Sequence, residues 1–298
     1  MNTKLTGIYA ALFTPFDKDG KIIYDSLQKH VDYLVKQGIS GFYVNGSTGE
    51  SFLMTAEERK KCIEAVVEAN AGRATVICHC GAIGTDLSLD LVRHSGRIAG
   101  VDAISSVTPF YYKFSKDDII GYYNDLANAT EKPFVVYNIP ALSGVSVTPE
   151  MMAEMRKNPR IQGLKFTSND FAALEAIRVS DPDLVIYNGY DQMCICGMSI
   201  GCDGAIGSTY NVIAPIVLKL WKLTKENKFD KALDVQHTLN SYLRDMTLNG
   251  KHFNISKYII SKIEGIDYGI ARKPFGPLAK PEIEAAERII DRLQRKDY

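Results

Sequence analysis

The chain has 298 residues, enough to bury a full core, and its 35 basic side chains are balanced by 35 acidic ones. A hydrophobic share of 46% and a charged share of 23% are those of an ordinary globular protein. With no global field, the composition argues against nucleic acid, a membrane surface or a polyanion as partner, and a small molecule is expected.

Residues 1–6 lack a basic segment followed by an apolar one, and no apolar run approaches ~18 residues, so a cytoplasmic location is expected. Residues 7–16 form an apolar run that closes on the turn Asp17-Lys18-Asp19-Gly20. That turn resembles the start of a calcium loop but lacks the downstream ligands, so a structural turn is predicted. From Ser26 the spacing becomes helical, with Leu27, Val31 and Leu34 on one stripe and Gly38 as the stop. A second apolar run covers 41–44.

The alternation then recurs. Thr55 with Glu58 makes a capping box for a helix carrying Cys62, Ile63, Val66 and Val67, and 74–80 is strand-like. A helix from about Thr85 carries Leu87, Leu91 and Val92 before a strand at 101–107. Ser115 with Asp118 starts a helix through Ile119, Tyr122, Leu126 and Ala127, followed by a strand at 134–139. Thr148-Pro149-Glu150 is a helix start with proline at the first helical position. Strands at about 161–167, 184–187 and 204–208 then alternate with helices at 171–179 and about 191–200.

Eight continuous apolar runs joined by helices, with no hairpin signals, predict a parallel sheet covered on its outer face. The fold class is α/β, a (β/α)₈ TIM barrel over about 7–225 with additional C-terminal helices over about 226–298, the last at 281–295, all in one domain. A doubly wound sheet fits less well, because no G-x-G-x-x-G follows the first strand.

In such a barrel chemistry sits at the C-terminal ends of the strands. That rule selects residues 45–50, 108–112, 137–140, 165–168, 188–192 and 208–211, a set rich in hydroxyls and poor in histidine. His79, on an inner strand, is expected to be a satisfied core residue. Cys78 with Cys80 and Cys194 with Cys196 have C-x-C spacing. The second pair lies in a helical pattern, where residues two apart face nearly opposite ways, so core packing rather than a metal site is predicted. Lys165 stands out. It lies in an apolar run bounded by Gly163 and by 168–170, where an ammonium is costly unless paired or neutral. Burial would remove its proton and leave a nucleophilic amine. A salt bridge or a solvent-facing strand end is the alternative for this stretch taken alone.

Six motifs in order resemble the N-acetylneuraminate lyases: Gly46-Ser47-Thr48-Gly49-Glu50, Val107-Thr108-Pro109-Phe110-Tyr111-Tyr112, Tyr137-Asn138-Ile139-Pro140, Gly163-Leu164-Lys165, Tyr187-Asn188-Gly189-Tyr190-Asp191 and Gly204-Ala205-Ile206-Gly207-Ser208. The similarity runs from about residue 7 to Leu278, within a superfamily of pyruvate-dependent class I aldolases. It implies a cofactor-free, metal-free lyase that splits sialic acid into pyruvate and N-acetylmannosamine. Lys165 would form the Schiff base, and Tyr137 would relay the proton from the 4-hydroxyl. Tyr111, from a neighbouring subunit of a homotetramer, would support Tyr137. Ser47 and Thr48 would hold the carboxylate, and Thr167, Gly189, Asp191, Gln192 and Ser208 would face the polyhydroxyl tail. The related dihydrodipicolinate synthases usually carry an arginine shortly after the tyrosine motif, where this chain has Ala141-Leu142-Ser143-Gly144. A related aldolase on another 2-keto sugar acid, or a non-catalytic sugar-acid binding protein, are the alternatives. A sensor would need neither the amine nor the proton relay.

One position departs from the lyase pattern, which has glutamate after the aspartate where this chain has Gln192. Hydrogen bonds to charged groups contribute roughly 1.5–3 kcal/mol against roughly 0.5–1.5 for neutral ones. Gln192→Glu is therefore expected to lower KM for N-acetylneuraminate by about tenfold. An unchanged KM contradicts this.

Overall fold

The computed structural model describes residues 5–296; residues 1–4, part of the stretch read for a leader, and 297–298 lie outside the described residues. Eight parallel strands close in sequence order into a barrel: β1 Gly7–Ala11, β2 Gly41–Val44, β3 Thr75–His79, β4 Ala103–Val107, β5 Phe134–Asn138, β6 Ile161–Phe166, β7 Val185–Asn188 and β8 Gly204–Gly207. Their continuous apolar character follows from burial on both faces. Ile8, Phe42, Val76, Ile104, Val136, Leu164 and Ile186 point outward into the layer under the helices. The alternate residues Tyr9, Tyr43, Ile77, Val135, Tyr137, Val185, Tyr187 and Ile206 fill the barrel. Closure depends on glycine: Gly204 pairs with Gly7, and a Cβ on Gly204 would lie 2.0 Å from the Gly7 carbonyl oxygen.

The outer layer is formed by α1 Tyr24–Gln37, α2 Ala56–Asn70, α3 Thr85–Gly96, α4 Lys116–Asn128, α5 Pro140–Ser143, α6 Pro149–Met155, α7 Phe171–Ser180, α8 Cys194–Ile200 and α9 Tyr210–Lys225. The capping boxes at Thr55/Glu58 and Ser115/Asp118 start α2 and α4. Thr148 caps α6 with Pro149 in its first turn. Asp17 Oδ1 accepts from the Asp19 and Lys21 amides at 2.9 and 2.8 Å, so that aspartate builds a turn.

Two local expectations are corrected. Leu87 is 43% exposed, whereas Ser88 lies inside α3 because its hydroxyl bonds to Tyr122 Oη and accepts from the Ala82 amide, both at 3.0 Å. The fourth strand begins at Ala103 rather than 101, leaving Val101 as a buried loop residue. Residues 140–143, to which the sequence pattern assigned no element, form the short helix α5 with Pro140 at its start.

Three further helices follow the barrel: α10 Phe229–Met246, α11 His252–Glu264 and α12 Lys280–Gln294. They do more than cover the outside. Gln236 of α10 accepts from the Ile195 amide at 2.9 Å and donates to the Asp191 carbonyl at 3.1 Å, and Asn240 donates to the Gln192 carbonyl at 3.2 Å. The loop after β7 is thereby fastened to α10.

Candidate active site

The C-terminal rim of the barrel holds a cavity of about 250 Å³. Ser47 and Thr48 after β2, Tyr137 on β5 and Lys165 on β6 line it. Thr167, Gly189, Asp191, Gln192 and Ser208, from the ends of β6, β7 and β8, line it with them. Nine of the ten residues singled out from the sequence therefore converge. Tyr111 does not. It is 82% exposed at a positive φ of 83° on the loop after β4, with its ring against Tyr112.

Lys165 pairs in register with Tyr137 on one side and Tyr187 on the other, so its side chain points into the barrel. It is 5% exposed. Its Nζ lies 3.9 Å from the Tyr137 ring centroid and 4.2 Å from that of Tyr43, and among the described residues it has no hydrogen-bond or ion-pair partner. Desolvation lowers its pKa from 10.5 to about 7, and the Asp191 carboxylate offsets this only in part. A large fraction of the amine is thus neutral at physiological pH.

The second buried lysine shows the opposite arrangement. Lys257 on α11 donates to Glu50 Oε1 at 2.6 Å, the Thr14 carbonyl at 2.6 Å and the Ile270 carbonyl at 2.9 Å, which uses all three ammonium protons. Glu50 Oε2 in turn accepts from the Arg272 amide at 2.7 Å. Lys257 is a strut, and it pins the end of the Gly46-to-Glu50 turn to the C-terminal helices.

That turn is shaped for an anion. Asn45 and Glu50 hold positive φ values of 60° and 57° at its two ends. Gly46 must lack a side chain, because a Cβ would sit 2.7 Å from the Tyr43 ring. The amides of Gly49 and Glu50 are used inside the turn, donating to the Gly46 and Ser47 carbonyls at 3.0 Å each. The Ser47 and Thr48 amides have no protein acceptor among the described residues. Two N–H groups without an acceptor beside two hydroxyls give the turn the chemistry to accept an anion.

Tyr137 is buried beside this nest, and burial pushes its phenol up to about 12, with the Ser47 hydroxyl opposing the shift. Further out, Asp191 Oδ2 accepts from the Thr209 amide at 3.0 Å and from its hydroxyl at 2.7 Å. Among the described residues, its buried Oδ1 has no hydrogen-bond partner, nor has the buried hydroxyl of Thr167. Glycines leave both groups room: a Cβ on Gly207 would lie 2.1 Å from Asp191 Oδ1, and one on Gly189 would lie 1.8 Å from Thr167 Oγ1.

His79 is a satisfied core residue, with Nδ1 2.8 Å from the Asn45 carbonyl and Nε2 accepting from the Val107 amide at 3.1 Å. Burial holds its pKa far below the usual value. Among the described residues, no group of three or more His, Cys, Asp or Glu is placed to hold a metal ion. Sequence reasoning missed the far wall, where Leu243 and Thr247 from α10 and the following turn, with His252 and Phe253 from α11, line the cavity. The strand-end rule does not reach them.

A barrel with a buried lysine of lowered pKa, a phenol and an anion-accepting turn at its C-terminal rim has the equipment of an enzyme acting on a small carbonyl acid. The chain belongs to the dihydrodipicolinate synthetase family, whose model matches residues 4–293. It is 36% identical over 286 residues to an N-acetylneuraminate lyase of Fusobacterium nucleatum, covering 96% of this chain and 98% of that one. Its fold is similar to that of a catalytic-lysine mutant of a Ruminococcus gnavus sialic acid aldolase, with a TM-score of 0.94, 33% identity and 99% of both chains covered. It is also similar to Fusobacterium nucleatum N-acetylneuraminate lyase complexed with pyruvate, with a TM-score of 0.91, 34% identity and 98% of both chains covered.

The unpaired burial of Lys165 has a consequence for stability. With its pKa lowered in the fold, the unfolded chain binds the extra proton more readily. The penalty grows as pH falls from about 10 to about 7 and is constant below that. Lys165→Met is expected to stabilise the protein at pH 6 by on the order of 3 kcal/mol, with little gain at pH 10, in parallel urea titrations. A variant that gains nothing at pH 6 contradicts the unpaired burial.

Proposed function

We propose that this chain is an N-acetylneuraminate lyase, cleaving N-acetylneuraminate reversibly into N-acetylmannosamine and pyruvate through a Schiff base on Lys165. The single observation that carries the reading is a buried lysine amine, pKa about 7, with no ion-pair partner among the described residues, against Tyr137 and in one cavity with Ser47 and Thr48, whose amides have no protein acceptor among the described residues. The relatives' names point the same way.

The neutral amine attacks C2 of the open-chain 2-keto acid, and loss of water gives an iminium. The Ser47–Thr48 nest holds the substrate carboxylate, which fixes C2 over Nζ. When the bond between carbons 3 and 4 breaks, its electron pair enters the iminium and forms an enamine. The 4-hydroxyl proton leaves at the same time. Tyr137 is a phenol at neutral pH, so it takes that proton as it passes its own to the substrate carboxylate. Protonation of the enamine at C3 and hydrolysis of the iminium release pyruvate and restore the amine. Thr167, Gly189, Asp191, Gln192 and Ser208 face the tail, where the unpartnered Asp191 Oδ1 and Thr167 Oγ1 offer bonds to sugar hydroxyls.

The full proposal is a cytoplasmic homotetramer of single-domain subunits, residues 1–298, that needs no cofactor beyond the covalent intermediate. Tyr111, exposed and outside its own cavity, reaches the Tyr137 of a neighbouring subunit. Gln192 favours one second reading. An exposed neutral amide at the mouth suits another 2-keto sugar acid as well as sialic acid.

A pyruvate-release assay over a panel of sialic acids and 2-keto sugar acids tests the reaction. Release is expected from N-acetylneuraminate, and Tyr137→Phe is expected to lower kcat by roughly 10²- to 10⁴-fold. Release from another 2-keto acid alone favours the second reading, and no release from any member sinks both.

A further inference from the structure

The far wall of the cavity contains a histidine that neither the family resemblance nor the relatives' names assign to it. His252 opens α11, and its Nε2 lies 2.9 Å from Ser208 Oγ. Its ring packs against Phe13 and Phe253, with centroids 5.6 and 5.9 Å apart, so it has little room to turn. Ser208 Oγ has no other protein partner among the described residues. Its neighbours on the wall, Gln192 and Thr247, are also uncharged.

Two effects keep the imidazole neutral. Burial lowers its pKa to about 4, and the positive end of a thirteen-residue helix disfavours a second positive charge. The contact to Ser208 is therefore a neutral hydrogen bond throughout the range in which Lys165 is an amine. A serine hydroxyl has one donor and two acceptor sites and rotates freely unless one is engaged.

We propose that His252 is a positioning residue for the substrate tail, holding the Ser208 hydroxyl so that its remaining bonding capacity faces the cavity. The inference rests on the lyase reading and deepens it. With Gln192 and Thr247, the pair adds uncharged groups to the tail-facing lining that Asp191 also supplies. Fixing the rotor before binding removes part of the ordering penalty that the substrate would otherwise meet.

The test is a double-mutant cycle in the full-length enzyme, measuring KM and kcat for N-acetylneuraminate. His252→Phe keeps the ring packing and removes the hydrogen bond. His252→Gln keeps an amide where Nε2 lies. The phenylalanine variant is expected to raise KM by roughly threefold to tenfold with kcat changing far less, and the glutamine variant to recover most of that loss. In a Ser208→Ala background, His252→Phe is expected to add no further loss. An unchanged KM in His252→Phe, equal defects in both variants, or defects that multiply with Ser208→Ala overturn the inference. Failure of the parent enzyme to take up pyruvate covalently under borohydride would refute the lyase reading itself. Covalent uptake with a flat cycle refutes only the role of His252.

Discussion

Everything at the rim of this barrel is arranged around the desolvation of one amine. Lys165 emerges from β6 into a space closed by the rings of Tyr43 and Tyr137, with no acceptor for its protons among the described residues. A charged ammonium there would lose its hydration and regain only part of it from the ring faces of Tyr43 and Tyr137 and from Asp191. Lys165 therefore gives up its proton far more readily than an exposed lysine, and it does so at the lining of the cavity. The stability given up at this position is tolerable because two complete apolar layers surround it. Lys257 is the internal comparison. It is also buried and desolvation lowers its pKa too, but only to about 8, because a carboxylate and two carbonyls support its charge, and it serves as a strut.

The strut ties the amine's surroundings to the C-terminal helices. Glu50 ends the carboxylate nest, and its pairing with Lys257 and the Arg272 amide fastens the nest to α11 and the segment after it. Gln236 and Asn240 of α10 do the same for Asp191 and Gln192. Ser47, Thr48, Tyr137 and Lys165 therefore reach the cavity from β2, β5 and β6, and Thr167, Gly189, Asp191, Gln192 and Ser208 from the ends of β6, β7 and β8. The extension adds Leu243, Thr247, His252 and Phe253 to the same cavity, so changes there leave the strand-borne groups in place.

The barrel was legible in the sequence for a physical reason. Strands buried on both faces read as continuous apolar runs, and capping boxes such as Thr55 with Glu58 mark where the helices begin. The placement of Ser47, Thr48, Tyr137, Lys165 and Asp191 at one cavity followed from the strand-end rule. Other features depend on contacts across long sequence separations. Ser88 takes the inner place in α3 because Tyr122 satisfies its hydroxyl, which helical periodicity cannot report. Glu50 and Lys257 find each other 207 positions apart, and no local pattern distinguishes Lys257 from an ordinary helix lysine. His252 escaped notice because it comes from a helix outside the barrel repeat. Its only sequence signal was the scarcity of histidine, five in the whole chain.

The most direct measurement is peptide mapping after borohydride reduction in the presence of pyruvate, repeated from pH 5 to pH 9. The account predicts a mass increment on the Lys165 peptide alone, with an initial trapping rate that rises with pH and is half-maximal near the amine's pKa of about 7. An increment on the Lys257 peptide, or a rate at Lys165 that does not fall between pH 7 and pH 5, would contradict it.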